Sequence, residues 1–140
     1  MLRTIGAVLL AAGLAAPVSA HHSFAMFDTT KPVTIDGIVT SFEWTNPHAY
    51  IEVDVPDAKG GQTHWSIELG SPSILMRAGW KFNILKKGDR ITAVISPLRN
   101  GEPGSLLNRL TLADGRVLMN GGPGPATPPV AATIPAPVQP

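Results

Sequence analysis

The 140-residue sequence contains no cysteine. That excludes disulfide staples and thiolate metal sites, so stability must come from a hydrophobic core, and any transition-metal site must use imidazole, carboxylate or amine. An excess of either charge is also missing, with 11 Lys and Arg against 10 Asp and Glu. Nucleic-acid binding rests on clustered Lys and Arg that neutralise phosphates, so a near-neutral chain has no such footprint. It has no strong pull toward anionic membrane either. No apolar run reaches the about 20 residues needed to cross a bilayer. The catalytic templates are lacking too: there is no Ser elbow, no Cys–His pair and no His-Glu-x-x-His run. Glu43, Glu52 and Glu68 are scattered on polar faces, where solvation is their ordinary role. Binding is therefore expected rather than catalysis.

What is present begins with an export pattern. Arg3 gives a short positive start, residues 5–16 form an apolar stretch, and Pro17-Val18-Ser19-Ala20 is a small-residue cleavage pattern. Residues 1–20 are thus expected to be a signal peptide, which places the mature chain in the periplasm or outside the cell with no stable membrane insertion. At the other end, "MNGGPGPATPPVAATIPAPVQP" carries 7 of the 14 prolines and no charge. Such a composition predicts a disordered, polyproline-like tail over residues 120–140. One domain remains, residues 21–119.

Within it, "VTIDGIVTSFEW" alternates apolar and polar residues but slips phase: Val33 and Ile35 are odd positions, while Ile38, Phe42 and Trp44 are even. A glycine accommodates a bulge most easily, so one long strand bent at Gly37 is expected. "HAYIEVDV" and "QTHWSIEL" alternate on either side of "PDAKGG", predicting a hairpin with Ile51, Val53, Val55, Trp65, Ile67 and Leu69 inside. Ser71, Pro72 and Gly79 bracket a short helix as cap, first residue and stop. "RITAVISPL" is a further strand in which Ile91, Ala93 and Ile95 alternate, and "LLNRLTLADGRVLM" reads as strand, Asp114-Gly115 turn and strand. The order predicts an all-β domain with one short helix, a small OB-like five-stranded barrel. A β-sandwich of similar strand count is the alternative, although it would not need the helix there.

The start "HHSFAMFD", the central "FEWTNPHAYI", and "GW" followed by "LKKGD" resemble a family of small exported bacterial proteins classed as a domain of unknown function. The likeness covers roughly residues 21–118. It implies an exported, periplasmic small β-domain and carries no activity with it.

Function must then be read from side chains, and only four histidines are present. Cleavage after Ala20 would make His21 the first residue, able to chelate through its amine and ring nitrogen. His22 offers a second mode, in which the amine, the intervening backbone nitrogen and its own ring hold one Cu(II). Divalent copper heads the affinity order for nitrogen ligands, with zinc second. Pairing the hairpin so that Val53 faces Trp65 puts Asp54 opposite His64 and leaves His48 near Gly70, about 20 Å away. His48 and His64 cannot share an ion in that register, so His64 is expected to form a solvated pair with Asp54. His48 follows the Asn46-Pro47 turn signal, and the leader is long enough to run back along the first strand and add His48 as a third nitrogen. Phe24 and Phe27 are expected to anchor that leader, with Met26 packed between them. The ordinary alternatives are a frayed terminus for His21 and His22 and a backbone-bonded turn residue for His48.

The aromatic residues allow a second class of function. Trp44 and Tyr50 flank the "TNPH" turn and form the expected exposed pair, with Asn46 between them. On this reading the protein is a module for a periplasmic protein or small ligand, with no metal.

Overall fold

The computed structural model describes residues 24–121. The expected signal peptide, His21, His22 and all of the proline-rich segment beyond Gly121 lie outside the described residues. A 3-10 turn at Phe24–Met26 precedes β1 (Val33–Glu43), β2 (Tyr50–Pro56) and β3 (Gln62–Glu68). Helix α1 (Pro72–Arg77) follows, and then β4 (Arg90–Pro97), β5 (Gly104–Leu112) and the short β6 (Val117–Met119).

Pairing turns these strands into a closed barrel. β1 is flanked by β2 and β4, β2 by β3, and β4 by β5, all antiparallel. The ring closes where Ser66–Glu68 of β3 runs parallel to Gly104–Leu106 of β5. This is the OB-like five-stranded order with a short helix between β3 and β4. A single closed sheet excludes the sandwich. β6 lies outside the ring, paired to β5 alone.

Alternation places the core as the sequence predicts. Ile51, Val53, Ile67, Leu69, Ile91, Ala93 and Ile95 are buried, and Trp65 packs on them from a half-buried position. The α1 segment contributes Leu75 and Trp80, both almost fully buried. The Trp80 indole N–H donates to the Met119 carbonyl at 2.8 Å, tying the helix end to β6. Ser71 precedes the helix, but its side chain makes no cap hydrogen bond. Gly79 ends the segment at φ 90°, a conformation that disfavours any Cβ.

The bend in β1 is not at Gly37. Pairing with β4 runs unbroken from Asp36 through Gly37 to Ile38. The register with β2 shifts between Val39 and Ser41, so Thr40 is the extra residue. The inward face therefore passes from Ile35, Gly37 and Val39 to Phe42 across Thr40. Gly37 has a different reason to be glycine: a Cβ there would meet the Val53 side chain and lie 2.9 Å from the Asp54 carbonyl oxygen. It permits close approach of β2. A second shift, between Val94 and Ile95 in the β4–β5 register, moves the buried face of β5 from Leu107 to Leu110 and Leu112.

Candidate functional site

The solvent side of the β2–β3 hairpin collects the polar half of both strands. Because side chains alternate, Tyr50, Glu52 and Asp54 share one outer face with His64, Ser66 and Glu68. The register has Val53 opposite Trp65 and Asp54 opposite His64, as the apolar pattern predicts.

His64 sits between two carboxylates. Its Nδ1 is 2.7 Å from Asp54 Oδ1 and its Nε2 is 3.1 Å from Glu52 Oε2. Glu52 also accepts a hydrogen bond from the Ser66 hydroxyl at 2.8 Å. The hydrogen bond to Asp54 holds the His64 pKa above its ordinary value against an opposing desolvation, and the charge of Glu52 adds to the rise. Protonated, both ring nitrogens donate, so the arrangement suits an imidazolium bridge between β2 residues two apart.

A second group lies at the other end of the face. His48 Nδ1 is 2.5 Å from Glu68 Oε1, and Ala49 pairs with Gly70 and Leu69 through the backbone. His48 thus lies beside Gly70, away from His64. Tyr50 is half-buried; that burial, followed by the charge of Glu68 and a hydrogen bond to it, raises the phenol pKa. Thr45 donates its hydroxyl to the His48 carbonyl at 3.0 Å, bridging the turn that contains the cis Asn46–Pro47 bond. Asn46 is exposed.

Trp44 and Tyr50 are not an exposed pair. Both are half-buried, and Trp44 packs on the core with its ring edge-on to Phe42 at 5.7 Å. The exposed large aromatic side chains among the described residues are Phe24 and Phe82.

The leader takes another path from the one expected. Phe27 is buried and bridges Leu98; the Asp28 amide donates to the Pro97 carbonyl at 2.8 Å, and the Arg99 amide to Met26 at 2.9 Å. Arg99 also donates its side-chain Nε–H to the Ala25 carbonyl at 3.0 Å. Residues 25–28 therefore cross the end of β4 instead of running back along β1 toward His48. Phe27 anchors as expected, whereas Phe24 and Met26 are exposed, so Met26 is not enclosed between two buried rings.

Among the described residues no group of three His, Cys, Asp or Glu side chains could hold a metal ion. His64 fits that result, since its two nitrogens address different carboxylates. The His64–Asp54 pair was readable from register. The Glu52 contact and the His48–Glu68 pair were missed, although the same register places Glu68 opposite Tyr50 and beside the turn.

The model of a family described as a family of unknown function matches residues 8–107. No curated protein and no solved structure matches the chain. No helix among the described residues is long and apolar enough to cross a membrane.

Proposed function

We propose a function for a chain that belongs to DUF6152, a family of unknown function: it is an exported, periplasmic or secreted binding protein that takes Cu(II) at the start of its mature leader. His21 supplies amine and ring nitrogen, or His22 supplies its ring together with the amine and the backbone nitrogen between them. The observation that carries this reading is the anchored leader. Ala25, Met26, Phe27 and Asp28 are each tied to residues 97–99. His22 is three residues from Ala25 and so lies within ~11 Å of a fixed point on the barrel. The chain between the proposed ligands and the held segment is therefore short.

His48 remains the proposed third nitrogen, although Glu68 already engages it and the leader leaves from the β4–β5 side. The copper reading does not depend on it, because amine, backbone nitrogen and ring already offer Cu(II) several donors. Bound copper would supply a Lewis-acidic, redox-capable ion; the chain's own part is to keep the amine and ring within reach of each other.

Intact mass of the exported protein tests the premise, since a terminus other than His21 removes the amine chelate. With His21 first, Cu(II) titration is expected to give one site that weakens as pH falls, because the amine, with a pKa of about 7.7–8.0, must lose its proton. Acetylating the amine of His21 should weaken that site; unchanged affinity rejects the model. His48→Ala alters the copper spectrum only if the third nitrogen is used.

A second reading is favoured by the β2–β3 face. It holds Glu52, Asp54 and Glu68, with Glu43 of β1 opposite Tyr50, and no Lys or Arg lies on β1, β2 or β3. A metal-free module working through Trp44, Asn46 and Tyr50 would take a cationic peptide or small cationic ligand there. Binding that survives loss of both leader histidines and fails on Glu68→Gln would select this reading.

A further inference from the structure

A cleft of about 210 Å³ opens at the start of β4, between the loop before it and the β5–β6 turn. It lies seven residues, roughly 23 Å of strand, from the Pro97 end where the leader is held. Its lining combines half-buried Ile84 and buried Leu112 with the charged Asp89, Arg90, Asp114 and Arg116.

Three of the four oxygens of the two carboxylates are engaged by their own turns. Asp89 Oδ2 accepts the Lys86 amide at 2.8 Å, closing the Lys-Gly-Asp turn into β4. Asp114 accepts the Arg116 amide at 3.0 Å and its side-chain Nε–H at 2.7 Å. Those bonds hold the Arg116 guanidinium at the cleft while leaving its terminal nitrogens without a partner among the described residues. Arg90 makes no ion pair and no side-chain hydrogen bond among them. The guanidinium N–H groups left over on Arg90 and Arg116 outnumber the one carboxylate oxygen left over, Asp89 Oδ1, so the cleft has a surplus of cationic donors beside apolar Ile84 and Leu112.

We infer that this cleft binds a small organic anion, its carboxylate held by Arg90 and Arg116 and its apolar body lying on Ile84 and Leu112. Guanidinium groups pair with carboxylates through two parallel N–H donors, which fixes the ligand's orientation as well as its charge. The volume falls below the about 300 Å³ at which drug-sized sites begin, so the ligand is a small one. The inference is independent of the copper reading, which concerns the opposite end of β4.

Benzoate is the test probe, with benzyl alcohol as the same ring without the charge and inorganic phosphate as charge without the ring. In amide-resolved NMR of the full mature chain, benzoate is expected to shift residues 84, 90 and 112–116 in a saturable way. Benzyl alcohol and phosphate should shift them far less. Arg90→Gln should weaken benzoate about ten-fold or more, the loss expected for a charge-assisted bond, with the remaining spectrum unchanged. Arg116→Gln provides a second variant should the first perturb the β4 start. Equal shifts with benzyl alcohol, shifts spread over the surface, or benzoate binding indifferent to both substitutions would each overturn the assignment. Copper titration should be the same in both variants and the parent chain, which keeps the two readings separable.

Discussion

His64 of β3 lies directly across from Asp54 of β2, with 2.7 Å between Nδ1 and the carboxylate oxygen. The pair converts a strand register into a titration. Its folded pKa is raised above the ordinary 6.5, so the stabilisation is fully present below that value and is lost as pH rises through the folded pKa. The His64 side chain is 57% exposed, which limits the effect to under about 1 kcal/mol. Denaturant unfolding on either side of neutrality should show stability falling with rising pH. His64→Gln should remove this component, and Asp54→Asn should move the NMR midpoint of His64 downward.

Tyr50 is the single tyrosine of the chain. Alkaline absorbance titration therefore reports one phenol, and its midpoint should lie above the ordinary 10.0. Because the folded pKa is the raised one, stability holds below 10 and declines as the unfolded phenol ionises first. Glu68→Gln removes the neighbouring charge and should lower the midpoint. An unchanged midpoint would mean burial alone sets it.

Gly37→Ala tests the close approach of β1 and β2. A Cβ would press on the Val53 side chain and on the Asp54 carbonyl oxygen at 2.9 Å, neither of which is a flexible side-chain end. Overpacking of this kind costs about 1–3 kcal/mol, readable as a lower denaturation midpoint. A neutral result would mean that β2 can shift outward.

Thr40→Val should act in the opposite direction. The Thr40 hydroxyl is buried with no hydrogen-bond partner at the β1 bulge. Replacing it by a methyl group relieves an unmet polar group and should stabilise by about 1 kcal/mol in the same assay. Destabilisation would show that a water or a rotated hydroxyl satisfies the group.

Phe27→Ala should release the leader. The ring is 5% exposed, and loss of a buried phenylalanine costs about 3 kcal/mol. The amides of Asp28 and Arg99, which bond Pro97 and Met26, should lose hydrogen-exchange protection, and Cu(II) affinity should change with them if the tether matters. Retained protection would mean that Arg99 alone holds the segment.

Much of the β2–β3 face was legible beforehand, because alternation fixes which residues share a face and the apolar match of Val53 with Trp65 fixes the register. The contact between Glu52 and His64 was not, since a diagonal pair depends on strand twist and rotamer. The bulge shows the same division. The phase slip in β1 is visible in the sequence, but glycine was a poor guide to its position: Gly37 answers to the approach of β2, and Thr40 takes the extra place.

By itself the sequence determined strand order, the core faces of β2, β3 and β4, the helix site and the His64–Asp54 pairing, all of which follow from period and from nearest chain neighbours. Only the tertiary structure decided that the sheet closes through β3 and β5, that the leader crosses β4 instead of following β1, and that Ile84, Arg90, Leu112 and Arg116 meet in one cleft. Those are contacts between segments far apart in the chain, set by barrel closure and by which surfaces can be buried together.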